Sequence, residues 1–268
     1  MTRLEQIKFL IEILLNEMPE VKSQAAEVPN DLSSQRQLLR ALMNIRPPMP
    51  LKSSFLTIQD ELLKAESIEK GTLTLDDTQK ISKYFRLFQG DITRLEVDAI
   101  VNAANSALLG CFMPLHNCID NAIHSAAGLQ LRDACNKIME SQGHDEPTGQ
   151  AKITPAFNLP SKFVIHTVGP IIPVNRQPTT SEENLLANCY KSCLELALQN
   201  NLKSIAFCCI STGEFHFPNQ RAAEIAIKTV NQFLSVNDCD IIIIFNTFKD
   251  IDIKIYNEEL KLHEKYQT

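Results

Sequence analysis

Gln89-Gly90-Asp91-Ile92-Thr93, then Val97-Asp98-Ala99-Ile100-Val101-Asn102-Ala103-Ala104-Asn105, then Gly110-Cys111-Phe112-Met113-Pro114-Leu115-His116-Asn117-Cys118, then Ile119-Asp120-Asn121-Ala122-Ile123-His124 up to Gly128: these forty residues decide the reading of the chain. The run Val97 to Asn102 is apolar and β-branched, as a strand buried on both faces should be. Helical spacing takes over from Ile119, and the helix it predicts runs to Gln142. Between strand and helix lies a loop holding two cysteines and a histidine, and the other polar groups suited to chemistry stand close by.

Working outward, four more short runs rich in Val, Ile and Phe read as strands: Tyr84 to Gln89, Phe163 to Val168, Ser204 to Ile210 and Ile241 to Asn246. Helical patterns separate them over Glu182 to Gln199, Gln220 to Leu234 and Ile251 to Lys265. Ser181 is placed to cap the first of these, and Glu182 and Glu183 suit the positive end of its dipole. Strands alternating with helices predict a three-layer α/β/α domain with a mixed, largely parallel sheet over residues 79–268. Ligands of such sheets collect at the carboxyl ends of the strands. Gly90-Asp91, Asn102 to Cys118 and Ser211 to Phe217 all follow strands, so three distant segments point at one crevice.

Residues 1–78 have a different pattern. Apolar residues recur at helical spacing over Leu4 to Leu15, Leu32 to Ile45 and Phe55 to Ala65, with Pro19 and Pro29 bracketing a loop and Arg46-Pro47-Pro48-Met49-Pro50 stopping the second helix. They predict an N-terminal helical extension packed on the domain, or else a lid or partner surface.

Composition narrows the function. Of the 268 residues, 44% are hydrophobic and 22% charged, which suits a globular chain, and the net charge of -6 disfavours nucleic acid as a partner. No run is long and apolar enough for a membrane span, and Glu5 and Glu12 interrupt what would be a signal peptide's apolar stretch. The expectation is a cytoplasmic protein whose eight cysteines are reduced.

Cys111-x4-His116-x-Cys118 offers sulfur and nitrogen donors of the kind that hold zinc, and a catalytic zinc keeps one open position. Buried thiols without metal account for the same spacing. Cys135 lies about four helical turns beyond Cys118, too far along one helix to complete that set. Ser211-Thr212-Gly213-Glu214-Phe215 can offer main-chain N–H groups to phosphate, or be a simple turn. Asp91 can accept from an amine or cap a turn. Asn102 and Asn105 can address a sugar diol or cap their loop. Asp120 and His124, four apart, share a helix face, and Asp120 can steer or deprotonate water or merely favour the helix N-terminus. His166 reads as a satisfied core histidine and His144 as solvated.

Taken together, these residues resemble the macrodomain family, the ADP-ribose-binding α/β/α module. Gly90 to Thr93, Val97 to Asn105, Ile123-His124 and Ala126 to Gly128 carry its first half, and Val168-Gly169-Pro170 and Ser211 to Gly213 its second. The likeness covers about residues 80–260. Where most macrodomains run a string of glycines, Gly110 is followed by the Cys/His loop, which resembles the zinc-dependent microbial subgroup that also carries a helical extension. The resemblance implies a zinc-dependent hydrolase (an ester glycosidase) that reverses mono-ADP-ribosylation of protein side chains, with Asp or Glu as the modified residues. A reader module that binds ADP-ribose without cleaving it is the alternative.

By the same resemblance, Asp91 with Ile92 reads the adenine amine and Phe248 stacks on the ring. Ser211, Thr212, Gly213, Glu214 and Phe215 hold the diphosphate and distal ribose. Asn105 and Asp120 form the catalytic pair, and Cys111, His116 and Cys118 bind Zn2+, one per chain. Glu214 and His216 depart from the apolar residue and glycine usual there. The subgroup's setting implies as partners a sirtuin-like transferase and the lipoyl-carrier protein it modifies.

Overall fold

A computed structural model describes residues 1–237 and 239–265. The extension comprises α1 (Arg3–Glu17), α2 (Lys22–Ala26), α3 (Leu32–Ile45) and α4 (Ser53–Lys70). Thr2 and Glu5 form a capping box on α1, and Asp31 caps α3 by accepting from the Ser34 amide. Ile7, Leu10, Leu14, Leu39, Leu42, Phe55 and Leu62 fill a core of their own, which Leu129 of the following domain joins. The stretch between Pro19 and Pro29, expected as loop, contains a 3-10 turn and the short α2.

The domain follows the alternating pattern. Its elements are β1 (Gln79–Lys80), β2 (Phe85–Gln89), β3 (Ala99–Ala104), α5 (Ile119–Ala127), α6 (Leu129–Gln142), β4 (Ala151–Pro155), β5 (Phe163–Val168), α7 (Thr180–Gln199), β6 (Ser204–Phe207), α8 (Asn219–Val236), β7 (Ile242–Thr247) and α9 (Asp250–Lys265). Among the described residues seven strands lie in the order β1-β2-β7-β6-β3-β5-β4, with only the outermost pairs antiparallel. β1 and β4 escape the sequence pattern because an edge strand of two residues, or one alternating across a half-buried edge, carries no continuous apolar run.

Register sets the faces. Asn102 pairs with His166, and both turn toward α5 and α6. The next residues, Ala103 and Thr167, turn to the opposite face, where α7, α8 and α9 pack in succession. Two expectations shift. The single helix from Ile119 to Gln142 is broken at Gly128, whose φ of +93° lies outside the helical region. A Cβ there would stand 2.7 Å from Gln59 Nε2, so the glycine also lets α4 close on the break. And α7 starts earlier than Ser181, because Thr179 forms the capping box with Glu182.

Candidate active site and metal-ligand loop

The carboxyl ends of β2, β7, β6, β3 and β5 share one edge of the sheet, and the predicted segments meet there. Gln89 is registered with Thr247, so Gly90-Asp91 and Phe248 leave neighbouring strands together. Asp91 caps the turn Ile92–Arg94: its Oδ1 accepts from the Thr93 amide (3.0 Å) and hydroxyl (2.6 Å), while Oδ2 bonds to no described residue. Ile92 is buried in the core, so only its main chain is available to a ligand. Phe248 is 77% exposed and free to serve as a stacking surface.

The Ser211 loop turns back on itself. Ser211 has φ +65° and packs against Gly169 with no room between them for a methyl group. Phe217 N donates to Ser211 O (2.9 Å), Thr212 Oγ1 to Cys209 O (3.0 Å) and Ile172 N to Phe215 O (2.8 Å). The amides of Gly213, Glu214 and Phe215 find no acceptor among the described residues, as a phosphate cradle requires. Glu214 reaches across to the Cys/His loop, with Oε1 3.8 Å from His116 Nε2.

Behind these loops sits a buried polar cluster. Asp120, in the first turn of α5, is 5% exposed. Its Oδ1 accepts from Asn102 Nδ2 (2.8 Å) and its Oδ2 from Asn105 Nδ2 (3.4 Å). Asn105 is itself fixed, with Nδ2 donating to Gly110 O (3.1 Å) and Oδ1 accepting from Ala107 N (3.1 Å). Burial raises the Asp120 carboxyl to about 6 against the pull of Asn102 and the Arg132 cation. His124 Nε2 lies 3.5 Å from Asp120 Oδ1, and burial holds this imidazole neutral.

His166, 64 residues from Asn102 along the chain, is satisfied as the sequence suggests: its Nδ1 accepts from Asn102 (3.2 Å) and its Nε2 faces Thr154 Oγ1 at 2.9 Å. With Cys135 and His124 it makes a second, fully buried group of potential donors, and burial lowers His166 to about 3 and lifts Cys135 to about 12. Cys135 stays apart from the Cys111 set, though it stands on α6 beyond the break at Gly128 and not on one continuous helix with Cys118.

Cys111, His116 and Cys118 do converge, with one donor atom each within 4.8 Å of the others. Cys111 Sγ is 3.6 Å from His116 Nδ1. That is about the sulfur–nitrogen edge, ~3.6 Å, of a tetrahedral zinc site with ordinary bond lengths. Cys118 also caps α5, accepting from the Asn121 amide (3.4 Å), which places a donor two residues before Asp120 on the same turn. Without a cation, burial pushes the Cys118 thiol up to about 12. The donor set therefore fits a thiophilic divalent ion.

Sequence reading missed three residues that organise this site: Arg40 and Asn44 on α3, which bond the Cys/His loop, and Arg132 on α6, which donates to Leu109 O, Met43 O and Arg46 O. Lone polar residues in amphipathic helices look solvated until their partners are known. A cavity of about 780 Å³ lies between the extension and α5, lined among others by Arg36, Arg40, Asp91, Leu115 and Asn117. No helix among the described residues is long and apolar enough to cross a membrane.

Known proteins resemble this chain over nearly its whole length. The chain is 51% identical to a protein-ADP-ribose hydrolase of Treponema medium over 262 residues, 96% of this chain and 99% of the relative, so the relative shares the extension too. It is 43% identical to a protein-ADP-ribose hydrolase of Staphylococcus aureus (strain MSSA476) over 96% of this chain and 97% of the relative. A Fusarium oxysporum protein named as a probable bifunctional ADP-ribose hydrolase/ADP-ribosyltransferase is 40% identical over 86% of this chain, which matches 42% of that longer protein.

Among solved structures, the Oceanobacillus iheyensis macrodomain with ADP superposes with a TM-score of 0.61 at 44% identity, covering 70% of this chain and 96% of its own. The Trypanosoma brucei macrodomain in complex with ADP-ribose does so with a TM-score of 0.63 at 28% identity, covering 81% and 94%. The Macro domain pattern itself matches residues 101–226, and with near-full-length relatives at this identity the chain belongs to the Macro domain family.

Proposed function

We propose that this chain is a zinc-dependent hydrolase that removes mono-ADP-ribose from protein side chains, with Asp or Glu as the modified residues. The observation that carries the reading is the shared turn at the start of α5: a sulfur donor of the Cys/His set and a buried carboxylate stand two residues apart, at the carboxyl edge of the sheet. The names of the relatives at 43–51% identity support hydrolysis of protein ADP-ribose. The complexes of solved relatives with ADP and ADP-ribose support the ligand.

The residues divide the work along the crevice. The free Oδ2 of Asp91 accepts from the adenine amine, and Phe248 offers its exposed ring to the base. The unpaired amides of Gly213 to Phe215 take the diphosphate. Asn105, locked by Gly110 and Ala107, keeps one lone pair on Oδ1 for a distal ribose hydroxyl. Asp120 accepts a proton from the attacking water, and a carboxyl raised to about 6 is a stronger base than a solvated one while still ionised at neutral pH. That water supplies the hydroxyl left on the anomeric carbon, and the side-chain carboxylate departs. Cys111, His116 and Cys118 would hold the zinc, which when bound supplies Lewis-acid charge at the distal-ribose end. Holding the labile bond and the water in register accounts for much of the rate.

The modified partner on this reading is a lipoyl-carrier protein and the modifying enzyme a sirtuin-like transferase. The Fusarium relative, whose name joins hydrolase and transferase, supports the pairing of the two activities. The test is metal content together with release of ADP-ribose from a mono-ADP-ribosylated protein, before and after chelation. One zinc per chain and loss of turnover in Cys111→Ala are expected. Full turnover by metal-free Cys111→Ala would remove zinc from the mechanism, and binding without turnover by the loaded wild type would leave a reader module.

A further inference from the structure

The outer side of the Cys/His loop is held by the extension. Arg40 of α3 donates from Nη2 to His116 O (3.3 Å) and to Asn121 Oδ1 (2.8 Å). One turn later, Asn44 Oδ1 accepts from Leu115 N (3.0 Å) and its Nδ2 donates to Ser125 Oγ (3.1 Å). Asn121 closes the circuit. Its Nδ2 donates to Met113 O (3.0 Å), its amide to Cys118 Sγ (3.4 Å), and its Oδ1 also accepts from Ser125 Oγ (3.2 Å). Main-chain groups of Met113, Leu115 and His116 are thus tied to three side chains, two of them on α3.

The loop needs this support. It carries Leu115 at φ +57°, a left-handed conformation unfavourable for a residue with a side chain, which persists only where surroundings impose it. Arg40 is placed for this task rather than for a surface ion pair. Its neighbour Arg36 is paired with Glu66, whereas Arg40 meets no carboxylate among the described residues and its Nε is sheltered from solvent without a partner.

We propose that α3 is a brace for the metal-ligand loop and that Arg40, with Asn44 beside it, is a positioning residue for His116 and for the α5 turn that bears Cys118. The proposal rests on the reading that Cys111, His116 and Cys118 hold zinc, and it gives the extension a task at the site. The zinc ligands come from one wall of the crevice, and their spacing is set from outside the domain. The groups offered to adenine and diphosphate, Asp91 Oδ2 and the amides of Gly213 to Phe215, come from other elements and make no hydrogen bond to α3.

The experiment uses the full chain. Zinc affinity is measured by competition with a chromophoric chelator for the wild type, Arg40→Ala and Asn44→Ala. ADP-ribose affinity of the metal-free proteins is measured by calorimetry. Loss of an outer-shell partner typically weakens metal binding 10- to 100-fold, and Arg40→Ala is expected in that range, with Asn44→Ala in the same direction. Metal-free ADP-ribose affinity is expected to stay within about twofold of the wild type, by the separation of the two sets of contacts. If the wild type holds no zinc, the zinc reading itself falls and the brace with it. If the wild type holds zinc and both variants hold it as tightly, the brace is refuted and the zinc reading stands. Equal losses of zinc and ADP-ribose affinity would indicate general disruption and also refute it. Should Arg40→Ala fail to fold, Asn44→Ala decides by the same criteria.

Discussion

Arg132 is the perturbation whose size the structure specifies best. It is 3% exposed on α6, with Nε donating to Leu109 O (2.6 Å) and Nη1 to Met43 O (2.8 Å) and Arg46 O. Its guanidinium lies 4.4 Å from the centre of the Phe112 ring. It therefore joins the extension, the start of the Cys/His loop and α6 at one point. Each charge-assisted hydrogen bond contributes about 2 kcal/mol, and the ring contact about 1. Against roughly 7 kcal/mol stands the cost of burying the cation, visible in a pKa drawn down to about 10. From an ordinary value of about 12.5 that is about 3 kcal/mol. Arg132→Ala should then cost about 4 kcal/mol, within the range for breaking a buried ionic network. For a chain of this size that lowers the melting temperature by about 8–16 °C. Arg132→Met, which refills the volume but orphans the same carbonyls, should lose less. Thermal and urea denaturation at neutral pH measure both. A loss under about 1 kcal/mol in Arg132→Ala would mean that the three carbonyls find other partners, and the account of how the extension is fastened would be wrong.

Three further outcomes follow from the same geometry. Gly110 has φ +81°, and a Cβ there would meet the His124 ring at 2.9 Å; Gly110→Ala should cost about 1–3 kcal/mol and depress turnover by displacing His124 from Asp120, and a variant with wild-type stability and rate would contradict this. Phe248→Ala should weaken ADP-ribose binding by about 1–3 kcal/mol without altering the melting temperature, and unchanged affinity in calorimetry would show that the exposed ring is not a stacking surface.

Acid should destabilise the metal-free protein. His124 and His166 are held neutral by burial, so the unfolded state takes up protons below about pH 6.5 that the folded state refuses, and their contribution is lost as pH falls. Asp120, raised to about 6, acts in the opposite sense and offsets roughly one histidine. The net loss between pH 7 and pH 5 is about 2–3 kcal/mol by urea titration, and a flat profile would contradict the buried neutral imidazoles.

Much of the fold is legible in local pattern. The buried strands announce themselves as apolar runs because both faces of a central strand are covered, and the helices between them by their spacing. The break at Gly128 was not legible, since glycine within a helical pattern is tolerated as often as it ends one; the approach of α4 settled it. In the site, the loops carrying Asp91, Asn105, Cys111, His116, Cys118 and Ser211 could be read because each follows a strand and brings distinctive residue types.

The sequence by itself thus determined the α/β alternation and which residue types follow the strands at the carboxyl edge of the sheet, both properties of short stretches of chain. Tertiary structure alone decided which polar groups of the helices and strands find one another inside: that Arg132 is buried among three carbonyls, that Asn102 joins Asp120 to His166, and that Arg40 and Asn44 hold a loop more than seventy residues away. The physical reason is that hydrogen bonds and desolvation depend on what stands within about 3 Å, and for these side chains those neighbours come from remote parts of the chain.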